Sequence, residues 1–264
     1  MILNVTCTAM PRPKIHDQCF RSYTENITGV NWKQSTLYMN IDPLPCVTQK
    51  EWDAMQIKRI ESVSIAKKYF GNVEVKLPEN PNYTRAYNWV YSNAKTEYIL
   101  NLEDDWALIR KVDIKALIKP FEETRTLYEV VLRAYTYHYP CTCTSPAILH
   151  RRYYGVVGGR LNPERNPETQ THSRRDLGIF IPNKKNCPGD AIKQYVRVWP
   201  EECNNPSAVV SVDIGREWLD RSPYMRPQML DASDPRYTKK DQFRSWIIRR
   251  GWDTNKIVKF IEGC

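Results

Sequence analysis

The chain of 264 residues has only 10 glycines, and no apolar run approaches the roughly 20 residues that cross a bilayer. Three glycine-dependent signatures are missing. There is no Gly-x-Ser-x-Gly elbow, no P-loop and no Gly-x-Gly-x-x-Gly fingerprint, which argues against serine hydrolases, P-loop kinases and dinucleotide enzymes. The four histidines, His16, His138, His150 and His172, make no pair at metal-ligand spacing. No internal repeat and no linker is seen. The first residues, MILNVTCTAMPRP, carry no charged n-region and too short an apolar stretch for a signal peptide. They read as a strand, and a cytoplasmic protein is the expectation.

Hydrophobic residues make up 41 % of the chain, with 16 Tyr, 8 Trp and 18 Pro. This is the composition of a packed core, not of a disordered or low-complexity chain. The length suits one large α/β domain or two small ones. Eight cysteines without an export signal do not suggest a disulfide framework. Cys141, Cys143, Cys187 and Cys203 could hold zinc, although structural zinc sites have tighter paired spacings; scattered free thiols are the other reading. The formal charge of +9 suits a polyanionic partner such as nucleic acid, a phosphorylated glycan or an anionic membrane surface, or else serves solubility alone.

Along the chain, strands alternate with helices. ILNVTCTAM, STLYMNIDPLP, NVEVKL and EYILNL read as strands. Between them PRPKIHDQCFRSYTENI, TQKEWDAMQIKRIESVSIAKKYFG and NPNYTRAYNWVYSNAK read as helical. In the second of these, Trp52, Met55, Ile57, Ile60, Val63 and Ile65 recur at helical spacing, and Gly71 suits a C′ stop. This alternation predicts an α/β fold with a mostly parallel sheet and right-handed crossovers. VDIKALIKPFEET then reads as a helix and LYEVVLRAYTYH as a strand, before a less regular half with short strands at DLGIFIP and YVRVW. The tail from Tyr237 reads as helix broken near Gly251, with Ile247, Ile248, Ile257, Val258 and Ile261 inward. A single domain is expected, divided into a first half over about residues 1–110 and a second half, with C-terminal helices, over about 111–264.

The fourth strand ends in Glu103-Asp104-Asp105, three like charges after an apolar run. Ligands of parallel sheets sit at the carboxyl ends of strands. Carboxylates on a rigid strand end suit a hard cation, since Mg2+ or Mn2+ takes one or two protein carboxylates and fills its shell with phosphate and water. The other reading is an acidic solvated turn.

Together with the upstream helix and strand, NYTRAYNWVYSNAKTEYILNLEDDW resembles the DxD element of GT-A nucleotide-sugar glycosyltransferases of the family-2 type. The resemblance covers about residues 1–220. It implies a GT-A, Rossmann-like fold and a nucleotide-sugar donor bound with Mn2+ or Mg2+. It also implies that Asp105 is the metal ligand, with Glu103 toward the nucleoside and Asp104 toward the donor sugar. Thr8, Ala9, Met10 and Arg12 would lie where the family binds base and ribose. Arg85 would reach donor phosphate or sugar, unless it is simply solvated.

Past the acids, HRRYYGVVGGRLNPERNPETQTHSRRDLGIFI resembles the family segment that carries a catalytic acid. Glu164 and Glu168 are candidate bases, with Glu168 favoured by the pattern that follows it. Both could instead be loop acids paired with Arg165, Arg174 and Arg175. In AVVSVDIGREW, Asp213 stands where several such families carry a metal-binding His. Asp213 could be a third ligand, a base or a helix N-cap, and Arg216 could neutralise diphosphate.

Basic residues in HRRYY, HSRRD, NKKN and the tail interleave with Tyr153, Tyr154, Tyr237, Phe243, Trp246 and Trp252. Cations grip phosphates and aromatics stack on bases. The size and single-domain build are similar to bacteriophage-type glycosyltransferases that modify DNA, for which a hydroxymethylated pyrimidine in duplex DNA would be the acceptor. A lipopolysaccharide or capsule glycan and a non-catalytic nucleic-acid-binding module are the alternatives. Salt separates the first two in a titration. Affinity for DNA should fall by orders of magnitude between low and moderate salt, whereas a neutral saccharide should scarcely respond.

Overall fold

The computed structural model describes residues 1–134, 146–157, 159–167, 170, 193–201, 208–225, 247–248 and 253–264. In chain order these form β1 (Asn4–Ala9), α1 (Pro13–Asn26), β2 (Ile27–Thr28), β3 (Thr36–Ile41), α2 (Gln49–Tyr69) and β4 (Asn72–Lys76). Then follow α3 (Tyr83–Asn93), β5 (Tyr98–Glu103), β6 (Trp106–Leu108), β7 (Val112–Asp113), α4 (Ile114–Glu123), β8 (Glu129–Leu132) and β9 (Ala147–His150). The remaining elements are α5 (Arg151–Val157), β10 (Val196–Trp199), β11 (Ser211–Asp213), α6 (Arg216–Arg221), β12 (Tyr224–Met225), β13 (Ile247–Ile248) and α7 (Thr254–Gly263).

Seven strands build one sheet in the order β10-β8-β9-β5-β1-β3-β4. β4, β3, β1 and β5 run parallel, and β8 runs parallel to β10. β9 is antiparallel to both of its neighbours. The fold is α/β, with a mostly parallel Rossmann-like sheet flanked by helices. The chain leaves β1 toward β3 on one side and reaches β5 later on the other. The strand order therefore reverses at β1 and β5, and in open α/β sheets the carboxyl ends of strands at such a switch point are where ligands bind.

β1 and β5 are covered on both faces, so the polar side chains within them need internal partners. Thr6 Oγ1 donates to Asn101 Oδ1 at 3.1 Å, and the Tyr91 hydroxyl donates to the same oxygen at 3.0 Å. Asn4 Oδ1 accepts from the amides of Lys95 and Thr96 at 2.6 and 3.1 Å, fixing the turn into β5. On α1, Pro13, His16, Cys19, Phe20 and Tyr23 form the buried face, at helical spacing.

α2 opens with a capping box. Thr48 Oγ1 accepts from the Glu51 amide at 3.3 Å, and Glu51 Oε2 accepts from the Thr48 amide at 3.0 Å and the Val47 amide at 2.6 Å. The inward face of this helix differs from the apolar spacing in the sequence. Glu51, Met55, Arg59, Ser62 and Ala66 are buried, while Ile57 and Ile60 are 57 % and 61 % exposed. Arg59 sets that face by donating to the carbonyls of Ile41 at 2.7 Å and Pro78 at 2.8 Å, where the chain leaves β3 and β4. Burial lowers its guanidinium to about 10, against the opposing pull of Asp42.

Gly71 follows the helix end, as expected, but not as a left-handed stop, since the helix passes into an extended Phe70. A Cβ at Gly71 would lie 1.8 Å from the Lys33 carbonyl oxygen, so close backbone approach is what requires glycine. The strand expected over 127–138 is formed over Glu129–Leu132, and residues 135–138 lie outside the described residues. The tail forms α7, with Ile257, Val258 and Ile261 buried as expected. Ile247 and Ile248 form β13 rather than helix. The strand expected at DLGIFIP, 176–182, lies outside the described residues.

Two substitutions test these local causes in denaturant unfolding. Thr48→Ala should destabilise the chain by about 1 kcal/mol through loss of the cap. Gly71→Ala should cost about 2–3 kcal/mol, because the neighbour that must move is backbone. Gly263→Ala, where a Cβ meets nothing within 4 Å, should change little.

Candidate active site at the carboxyl end of the sheet

The register aligns Thr8 of β1 with Glu103 of β5, so the residues that follow each strand meet. After β1 come Met10, Pro11 and Arg12. Arg12 precedes a proline and is non-helical, with φ −127° and ψ 65°, and Pro13 starts α1. After β5 come Asp104 and Asp105. Arg12 is 2 % exposed and turns toward these two acids. Its Nη2 donates to Asp104 Oδ1 at 2.5 Å, its Nε to Asp104 Oδ2 at 3.2 Å, and its Nη1 to Asp105 Oδ2 at 3.0 Å. Asp104 Oδ2 also accepts from the Met10 amide at 3.1 Å and lies 3.0 Å from His16 Nε2, one helical turn beyond Arg12.

Burial alone would raise the Asp104 carboxyl. The Arg12 charge, with hydrogen bonds from His16 and Arg12, reverses this and holds it at about 2. Burial works against the Arg12 charge, and the two acids outweigh it, raising the guanidinium above its ordinary value. Asp105 behaves differently. Burial raises its carboxyl, Arg12 opposes this, and the nearby charges of Asp104 and Asp213 raise it further. Beneath the acids, burial and the Asp104 charge push the Cys7 and Cys19 thiols well above their ordinary value, which leaves them inert.

The second wall comes from far along the chain. β11 pairs antiparallel with β6 and sets Asp213 opposite Trp106. The Ile214 amide donates to the Asp105 carbonyl at 2.8 Å. A Cβ on Gly215 would fall 2.5 Å from Asp105 Oδ2, so glycine is needed for the chain to pass there. Asp213 Oδ1 accepts from the Gly215 amide at 2.8 Å, and Arg216 Nη2 lies 3.3 Å from Asp213 Oδ2. Gly215 occupies the N-cap position of α6, so Asp213 closes the turn before that helix without capping it. Trp218 of α6 covers the Arg12 guanidinium, 5.0 Å from Cζ to the ring centroid.

Among the described residues no group of three or more His, Cys, Asp or Glu is placed to hold a metal ion, so an all-protein cage is not formed. The donor set suits a cation of another kind. The Asp105 side chain is 26 % exposed, its Oδ1 accepts no hydrogen bond from the described residues, and two further carboxylates act on it. Such a position fits Mg2+ or Mn2+, which bind through one or two carboxylates and complete their shell with water and phosphate.

The structure thus brings together Thr8, Ala9, Met10, Arg12, Glu103, Asp104, Asp105, Asp213 and Arg216. Ala9 and Met10 are buried and contribute backbone, the Ala9 carbonyl accepting from the Asp42 amide at 2.8 Å. Arg85 is exposed in the first turn of α3, where the Asn82 side chain accepts from its amide at 2.9 Å. Glu164 is exposed, in a turn tied to the start of α3 by the Asn82 Nδ2 bond to the Pro163 carbonyl at 3.0 Å. Glu168, Cys141, Cys143, Cys187 and Cys203 lie outside the described residues. Three participants escaped sequence reasoning. His16 had a signal, its four-residue spacing from Arg12 at the start of a helix. Trp218 had none, because long-range pairing, β11 with β6 among it, brings α6 over the acids. Asp42 had its place at the end of β3; its carboxylate accepts from Asn40 Nδ2 at 2.8 Å and from the Asn82 amide at 3.1 Å.

No protein-family model matches the sequence, and no curated protein sequence matches it. Solved structures of similar shape include S. aureus TarS, at 13 % identity and TM-score 0.34, over 52 % of this chain and 22 % of that one. The mannosyltransferase PcManGT from Pyrobaculum calidifontis, in complex with GDP-Man and Mn2+, is 10 % identical over 63 % of this chain and 50 % of its own, with TM-score 0.45. This chain therefore spans half or less of either protein. A cytidylyltransferase from Leptospira borgpetersenii is 10 % identical with TM-score 0.44, over 99 % of this chain and 94 % of that one.

Proposed function

We propose that the chain transfers a sugar from a nucleotide-sugar donor to a hydroxyl acceptor, at the crevice where the strand order reverses. The observation that carries this reading is the acidic end of β5, with the part-exposed Asp105 carboxylate beside Asp213. Asp105, with Asp213, would hold Mn2+ or Mg2+ against the donor diphosphate. When bound, the cation neutralises charge that develops on the departing diphosphate.

The chain's own part is positioning and proton transfer. Thr8, Glu103 and the backbone at Ala9 and Met10, which end or follow β1 and β5, would receive the nucleoside and the donor sugar. Arg85 and Arg216 are exposed cations suited to phosphate. The acceptor oxygen bonds to the anomeric carbon as the bond from that carbon to the diphosphate breaks. The acceptor's proton passes to a carboxylate base, for which Glu168, Glu164 and Asp213 are the candidates. The charge of +9 favours a polyanionic acceptor. Hydroxymethylated duplex DNA is the first to test, and a phosphate-bearing lipopolysaccharide or capsule glycan the second.

Thermal unfolding with UDP-, GDP-, CMP- and ADP-linked sugars, with and without Mn2+, tests the donor half of the proposal. One donor should stabilise the chain in a metal-dependent way, and the enzyme should slowly hydrolyse it. Asp105→Asn should abolish the metal-dependent shift and lower turnover by about 100-fold or more, with the fold retained. Full turnover in Asp105→Asn would remove Asp105 from the chemistry. Absence of any shift would favour a nucleic-acid-binding module, and pyrophosphate release from a nucleoside triphosphate would reassign the crevice to nucleotidyl transfer.

A further inference from the structure

The resemblance puts Arg12 where the family binds base and ribose. In the structure it is buried, and among the described residues its three hydrogen bonds to side chains go to acids of its own chain. Two of those bonds hold Asp104, which the Met10 amide and His16 anchor as well. Balancing the buried Asp104 charge requires no more than this. The third bond, from Nη1, goes to Asp105 Oδ2. The guanidinium is fixed from its face by Trp218, whose own Nε1 donates to Cys264 Sγ at 3.1 Å and so ties the ring to the end of α7. Gly215 closes the other approach to the same carboxylate. Asp105 is thereby gripped at Oδ2, and its Oδ1 accepts no hydrogen bond from the described residues.

We propose that Arg12 is a positioning residue that makes Asp105 a one-oxygen donor and so selects the cation. The proposal rests on the reading of Asp105 as a cation ligand. A guanidinium held against Oδ2 disfavours chelation through both oxygens, since a cation shared with that oxygen would have to approach the Arg12 charge. A single oxygen suits the small octahedral shell of Mg2+ or Mn2+, whereas Ca2+ is larger and readily takes a carboxylate through both oxygens in shells of six to eight. The fork geometry is what matters. Lysine retains the charge but cannot grip two carboxylates in fixed directions. The alternative, that Arg12 only offsets the Asp104 charge, predicts loss of stability on substitution and no change in cation preference.

The test compares the full chain with Arg12→Lys. Mn2+ binding is read by electron paramagnetic resonance in the presence of UDP, GDP, CDP or ADP, and Ca2+ is titrated as competitor. The unmodified chain should prefer Mn2+ to Ca2+, and Arg12→Lys should narrow that preference by roughly tenfold, independently of any fall in melting temperature. A folded Arg12→Lys with unchanged preference overturns the proposal and leaves the functional reading standing. Failure of the unmodified chain to bind Mn2+ with any of these nucleotides overturns the functional reading and the proposal with it. Should Arg12→Lys not fold, Trp218→Leu decides. It removes the ring that fixes the guanidinium from its face, so that the Nη1 bond to Asp105 Oδ2 loosens, and should narrow the preference by about threefold. An unchanged preference in that variant overturns the proposal.

Discussion

Arg12 places three hydrogen bonds on two carboxylates in a space that water barely reaches. Burying these charges is costly, and removing one partner of such a pair leaves an uncompensated charge at a cost of about 3–5 kcal/mol. Asp104 meets that cost because its two oxygens receive, besides Arg12, the Met10 amide and His16. The pair joins the segment after β1 to the segment after β5. These are the two places where the strand order reverses, so the ion pair forms a floor between the carboxyl ends of β1 and β5.

From that floor the rest of the site follows. Asp104 is committed to the interior, and Asp105, the next residue, remains part exposed with like charges around it. Asp104 and Asp213 both raise the Asp105 carboxyl against the pull of the Arg12 guanidinium, and among the described residues Arg216 pairs with Asp213. The β11–β6 pairing is equally necessary, since it brings Asp213, Gly215 and Trp218 from the far half of the chain onto residues of the first half.

Much of the fold was legible. The alternation of β-rich and helical stretches gave the α/β class, and the acids could be placed at a strand end because EYILNL is apolar and uninterrupted. The capping box at Thr48 and Glu51 is also readable from spacing alone. Other features were not. The buried face of α2 runs through Arg59 and Glu51, and leaves Ile57 and Ile60 outside, because two backbone carbonyls at the strand ends call for donors there. Hydrophobic periodicity cannot register such a demand. Gly71 similarly looked like a helix stop, and its reason lies in the Lys33 backbone, distant in sequence.

The sequence by itself determined which residue types stand at the end of each strand, because local propensity and patterning set where strands begin and stop. It therefore determined that three acids would lie at the mouth of a parallel sheet. Only the tertiary structure decided which acid faces inward and which stays exposed. That depends on Arg12, more than 90 positions away from both, and on Gly215, more than 100 beyond them. Pairwise Coulomb and hydrogen-bond terms act through space over a few ångströms, so spacing along the chain carries no record of them.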